Sequence, residues 1–202
     1  MRCSRPSNAT PPSPPSPSGR VWGVVPEAPL RETKYGSVTD GEGWFVINAR
    51  DSRWRDTGPL GFYCDFEGKR RFPQLGINLN ILEPGQPLAR YHRENAQESF
   101  LVLAGTCLLI VEGEERELKA WDFFHCPSLT EHVIVGAGDG PAVVLAVGAR
   151  GIGRKGFVYP VSRAAQKHGA GVKFETTKPA EAYAGLPRYS RCVYRDGWLP
   201  DA

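Results

Sequence analysis

The sequence contains no apolar stretch near the roughly 18 residues needed to cross a membrane as a helix, which excludes an integral helical membrane protein. It has no C-x-x-C pair, and its five cysteines (Cys3, Cys64, Cys107, Cys126 and Cys192) are odd in number. A disulfide framework is therefore not expected; the thiols read as reduced, in a cytoplasmic protein. The first residues lack the apolar core of a secretory signal, which points the same way. The density of Gly and Pro argues against long helices, so a coiled coil and a helical bundle are excluded, and no internal repeat is found. The excess of basic residues sits at the two ends, while residues 21–150 are net acidic. No basic, aromatic-laced face suited to nucleic acid is visible.

What is present is a chain of 202 residues with 41% hydrophobic and 23% charged residues, enough for one folded domain with appendages. The 23 Gly and 18 Pro argue for many short strands joined by turns. Residues 1–20 are rich in Pro and Ser and read as a disordered tail. Residues 21–72 hold short strand candidates, Trp44–Ile47 and Gly61–Cys64, expected to extend or cover a sheet edge.

Residues 73–150 carry the densest signal. Leu75–Leu82 alternates apolar and polar residues, and Glu83-Pro84-Gly85 ends it with a turn. Ser99–Leu103, Thr106–Val111, Trp121–Cys126, Glu131–Val135 and Ala142–Val147 follow, bounded by turn residues. This spacing predicts an all-β sandwich or barrel. Residues 151–202 form a C-terminal extension, with short helices expected at Ser162–Gly169 and from Lys178, where Pro179 suits a first turn.

Only four histidines occur, and two are placed where a site could use them. In Tyr91-His92-Arg93-Glu94-Asn95-Ala96-Gln97-Glu98, extended chain puts His92, Glu94 and Glu98 on one parity. An imidazole and two carboxylates converging on a point suit a divalent cation. His132 follows the turn Pro127–Glu131 at the start of an apolar strand. His125 reads as a core or rim histidine and His168 as solvent-facing. Cys126 reads as a small buried residue beside Pro127. Tyr91, Phe100, Phe124, Asn78 and Asn80 are candidates for lining a cavity, the two asparagines sharing one face.

The run from Gly85 to Gly105 resembles the first motif of the cupin superfamily, G-x5-H-x-H-x(3,4)-E-x6-G. His92, Glu94, Glu98 and Gly105 take its His, His, Glu and closing Gly. Glu94 replaces a histidine, and six residues separate Gly85 from His92. The second motif, G-x5-P-x-G-x2-H-x3-N, resembles Trp121–Gly136. Pro127 and His132 match it, while Trp121, Leu129 and Gly136 stand where it has Gly, Gly and Asn. The resemblance implies a double-stranded β-helix, or jelly-roll, barrel over residues 73–150. It also implies one divalent metal ion (Mn, Fe, Ni or Zn) held by His92, Glu94, Glu98 and His132. Isomerase, dioxygenase and decarboxylase activities occur in that superfamily, on small oxygen-rich molecules such as sugar derivatives, keto acids or enols. Glu94 or Glu98 would then move a proton in catalysis. A non-catalytic cupin that binds a small ligand or metal for sensing or storage is the alternative. A homodimer is expected from the resemblance alone.

Overall fold

The computed structural model describes residues 23–150 and 156–201. The Pro/Ser-rich tail expected at residues 1–20 lies outside the described residues. Alternation in the sequence becomes a two-sheet jelly roll. Among the described residues there are twelve strands: β1 (Leu30–Arg31), β2 (Val38–Thr39), β3 (Trp54–Asp56), β4 (Phe62–Cys64), β5 (Leu75–Leu82), β6 (Glu98–Ala104), β7 (Thr106–Val111), β8 (Glu114–Lys119), β9 (Phe123–Cys126), β10 (His132–Ala137), β11 (Ala142–Ala149) and β12 (Ser190–Cys192). Two short helices, α1 (Arg163–Lys167) and α2 (Pro179–Ala182), lie in the C-terminal extension. Ser162 caps α1 by accepting from the Ala165 amide, and Pro179 opens α2.

The larger sheet runs β12-β3-β4-β5-β11-β6-β9 and the smaller β10-β7-β8, with β1 and β2 paired apart. Each face of these sheets is legible as a parity. Leu82, Phe100, Val102, Leu109, Ile134, Val144 and Ala146 fill the space between the sheets. The opposite parity of the larger sheet, including Leu79, Ile81 and Val143, packs under Trp54 and Trp198. The opposite parity of the smaller sheet, Ile110, Val133 and Val135, packs against Tyr91, Ala165 and Ala170. The C-terminal extension thus covers the outer faces of both sheets and gives β12 to an edge.

Two expectations are corrected. Trp44–Ile47 forms no strand; only Trp44 bridges Glu27, and Trp44 and Val46 are exposed. The run is apolar, but its backbone pairs only at Trp44, and Phe45 stacks on the Phe72 ring instead of joining a sheet. β8 lies where only a turn was expected, because its sequence EERELK is charged. It pairs along its whole length with β7 and is mostly exposed, so backbone pairing rather than burial makes it a strand.

The departures from the second motif keep the backbone geometry that the motif's glycines would adopt. Trp121 (φ 76°) and Leu129 (φ 69°) both sit in the left-handed region, which costs a non-glycine residue about 1–2 kcal/mol. Both side chains are exposed, so little packing offsets this. Leu129→Gly should therefore raise stability by roughly 0.5–1 kcal/mol, the relief of strain exceeding the added freedom of the unfolded chain. Thermal denaturation checks this; a lowered melting temperature would contradict it. Gly136, at the motif's Asn, has a different reason. A Cβ there would lie 2.4 Å from the Glu83 carbonyl oxygen.

Candidate metal centre

The site is built on the inner face of the jelly roll, where strand parity sends Glu98 and His132 inward with Phe100 and Ile134. His92 joins them through an antiparallel bridge to His132. The His92 amide donates to the His132 carbonyl (3.1 Å), and the His132 amide donates to the His92 carbonyl (2.9 Å). Such a directly opposed pair sets side chains next to each other, and the two imidazole centroids are 4.9 Å apart. Glu98, at the start of β6, comes from the other sheet. Its Oε2 lies 3.3 Å from His132 Nε2 and 3.8 Å from His92 Nε2. One ligand atom from each of His92, Glu98 and His132 falls within 4.8 Å of the others.

The His132–Glu98 spacing of 3.3 Å suits one cation, and the His92–Glu98 spacing of 3.8 Å is a few tenths wider. Ligand atoms about 2.1 Å from a metal are about 3.0–3.4 Å apart in octahedral or tetrahedral arrangements. The tautomers suit it too. His92 Nδ1 is 2.7 Å from the Arg90 carbonyl, and His132 Nδ1 is 3.1 Å from the Thr130 carbonyl. A carbonyl only accepts, so each Nδ1 carries a proton, and Nε2, facing Glu98, is the nitrogen whose lone pair a cation can take once any proton there is displaced. Two lone pairs and a carboxylate then converge on one point, an arrangement a divalent cation satisfies.

Cys126 supports the same imidazole. Its thiol faces the Pro127 carbonyl at 3.7 Å, and its Sγ lies 3.3 Å from His132 Nδ1. His132 is almost wholly buried (2% exposed). Burial opposes its protonation, but hydrogen bonding and charge from Cys126 and Glu98 outweigh that. In the metal-free protein its pKa is pushed up to about 10. The proton is thus a stand-in for the cation at this position.

Glu94 is not brought into this group of three. His92 bridges His132 and Arg93 bridges Val158, the two opposite edges of one extended segment, and the bend at Asn95 and Ala96 separates Glu94 from Glu98. Glu94 is buried (4% exposed), and its carboxylate acts electrostatically on Tyr159. Its carbonyl accepts the Leu129 amide at 2.7 Å, tying the two motif segments together. His125 is exposed on the outer face, 3.5 Å from Ser99 Oγ. His168 does not simply face water: its Nε2 is 3.0 Å from Glu115. Phe100 and Phe124 pack on His132, with ring centroids 5.4 and 6.0 Å away. Tyr91 instead lies on the outer face of the smaller sheet, where its hydroxyl accepts from the Gly113 amide.

The aromatic cover over the centre has no counterpart in the local sequence pattern. Phe157 and Tyr159, from the C-terminal extension, stand 5.8 and 5.9 Å from the His92 ring. Tyr183 meets Tyr159 edge-on at 5.8 Å, and its hydroxyl accepts the Arg90 amide. Burial pushes both phenols above their ordinary pKa. The only available signal was the concentration of aromatics after residue 156, with nothing to say where they return.

Residues 78–148 match the family model described as Cupin domain. The chain carries a cupin domain. The match spans both motif segments and includes Glu98 and His132. Among solved structures the chain is similar to a provisionally named sugar phosphate isomerase of Acidithiobacillus ferrooxidans (27% identity, TM-score 0.41, covering 50% of this chain and 65% of that one). It is also similar to a sugar phosphate isomerase of Silicibacter pomeroyi (26%, TM-score 0.42, 51% and 62%) and a cupin 2 domain-containing protein of Halorhodospira halophila (19%, TM-score 0.40, 62% and 77%). It spans less than two thirds of the length of the first two. A comparison with curated proteins found no match. Among the described residues no helix is long and apolar enough to cross a membrane.

Proposed function

We propose that this cupin is a metal-dependent enzyme acting on a small oxygen-rich molecule such as a sugar derivative, a keto acid or an enol. The observation that supports it most is the convergence of His92, Glu98 and His132, with both Nδ1 protons held by backbone carbonyls. A divalent ion held there supplies Lewis acidity toward substrate oxygens, and redox chemistry if it is iron. Three protein ligands leave positions for two substrate oxygens on a six-coordinate ion.

The chain's own residues do the rest. Phe157, Tyr159 and Phe100 pack about the imidazoles and keep bulk water from them, which strengthens every electrostatic contact inside. Arg90 and Thr130 hold the imidazole tautomers. Glu94, buried beside Tyr159, is the carboxylate best suited to take or return a proton at its own oxygen. Isomerisation, oxygenation and decarboxylation all fit this set of groups.

The test is whether the centre has open positions. Protein loaded with Mn²⁺ should strongly enhance water-proton relaxation, and oxalate, a bidentate oxygen ligand, should suppress the enhancement. A loaded protein with no exchangeable water would instead support a closed centre for storage or sensing.

A further inference from the structure

A second feature of the inner face bears on which molecules this centre takes. Gly148 and Gly76 are register partners on β11 and β5. Glu98 lies over the first, its Oε1 3.4 Å from where a Cβ would be. Arg150 lies over the second, its Nε and Nη2 3.1 Å from such a Cβ. The paired glycines form a floor on which the metal-ligand carboxylate and a guanidinium lie side by side. Arg150 is held in place: it pairs with buried Glu67, and its Nη1 donates to the Phe72 carbonyl at 2.9 Å.

Beyond Arg150 the inner face opens into a cavity of about 520 Å³ lined by Arg55, Lys69, Arg71, Asn78, Asn80 and Arg150 among others. Asn78 and Asn80 share the parity of Leu82, and Tyr63 and Arg55 continue the row across β4 and β3. The polar residues in the middle of β5 thus face this cavity rather than the core. The Asn80 amide nitrogen donates to the carbonyls of Asn78 and Val144, which leaves its Oδ1 to accept from a hydroxyl.

The charges on this wall do not cancel. Four cations line it against two carboxylates, Asp65 and Glu67. Arg55 is matched by Asp65 at 2.6 Å and Arg150 by Glu67. Among the described residues Lys69 and Arg71 have no ion-pair partner, so two positive charges remain at the same cavity. A partly enclosed polar space with surplus cations, next to a metal-ligand carboxylate, suits a molecule with one negative end and hydroxyls or carbonyls at the other.

We infer that this cavity binds the anionic group, carboxylate or phosphate, of the molecule whose oxygens meet the metal centre. Lys69 and Arg71 supply the net charge, and Arg150 positions the anion beside Glu98. The link to a substrate rests on the enzymatic reading above; the anion site itself rests on the cavity alone.

The experiment therefore uses chelator-treated, metal-free protein at constant ionic strength, titrated calorimetrically with inorganic phosphate, with malonate and with neutral glucose. Saturable binding of phosphate or malonate is expected, with none for glucose, and the tighter anion identifies the group recognised. Lys69→Gln/Arg71→Gln, at two exposed positions, should weaken that binding at least tenfold while divalent-metal uptake stays as in the parent protein. Arg150→Gln should weaken it further. Absence of saturable binding by either anion would overturn the inference, as would equal binding by the double variant. Anion binding in a protein that never takes up metal would leave this site standing and defeat the enzymatic reading. Metal uptake without anion binding would do the reverse.

Discussion

His132→Ala should abolish stoichiometric metal uptake, lowering affinity by more than about 100-fold. Loss of a supporting partner alone costs about 10–100-fold, and this change removes a ligand atom. His132 is the most deeply buried of the three, and its Nε2 is the nitrogen nearer to Glu98, at 3.3 Å against 3.8 Å for His92. Removing it leaves one imidazole and one carboxylate, too few donors to hold a divalent ion against water. Circular dichroism checks that the variant keeps its sheet structure. Full metal occupancy in a folded variant would defeat the assignment. Cys126→Ser should do far less, because Cys126 acts on Nδ1 rather than supplying the ligand atom.

Metal affinity should climb steeply with pH through the neutral range. In the metal-free protein the His132 pKa is raised from 6.5 to about 10. A cation must therefore displace a proton throughout this interval. Apparent affinity rises about tenfold per pH unit, or about 100-fold from pH 6.5 to 8.5. The stability of the metal-free chain runs in the opposite sense. A folded-state pKa raised above its unfolded value contributes stability fully present below about pH 6.5 and lost as pH rises through about 10. Metal titrations at several pH values, with melting temperatures of the chelated protein in parallel, check both slopes. An ordinary imidazole would give affinity that levels off just above pH 6.5, and that plateau would contradict the arrangement around His132.

Much of this was legible in the sequence because the barrel is built from period-two alternation. Thr106–Val111 forms β7 over the residues read as a strand, and Leu75–Leu82 forms β5. His92, Glu98 and His132 were legible because motif spacing fixes where each falls on its strand. The position of Glu94 was not, since shared parity holds only through unbroken extended chain, and the bend at Asn95 and Ala96 interrupts it between Glu94 and Glu98. β8 was hidden because a strand that faces solvent needs no apolar residues. The contact of Cys126 with His132 depends on how the Pro127–Glu131 turn folds back. The cover of Phe157 and Tyr159 depends on a C-terminal return that no local pattern encodes. The polar face of Asn78 and Asn80 was visible as alternation, but only the pairing with Tyr63 and the proximity of Arg150 show that it faces a cavity rather than open solvent.

The most direct test is elemental analysis of the native protein, expressed without a polyhistidine tag and purified without chelator. About one Mn, Fe, Ni or Zn per chain is expected, lost on treatment with chelator together with a fall in melting temperature. Metal-free protein whose melting temperature is indifferent to each of these ions would mean that His92, Glu98 and His132 converge on nothing but a proton.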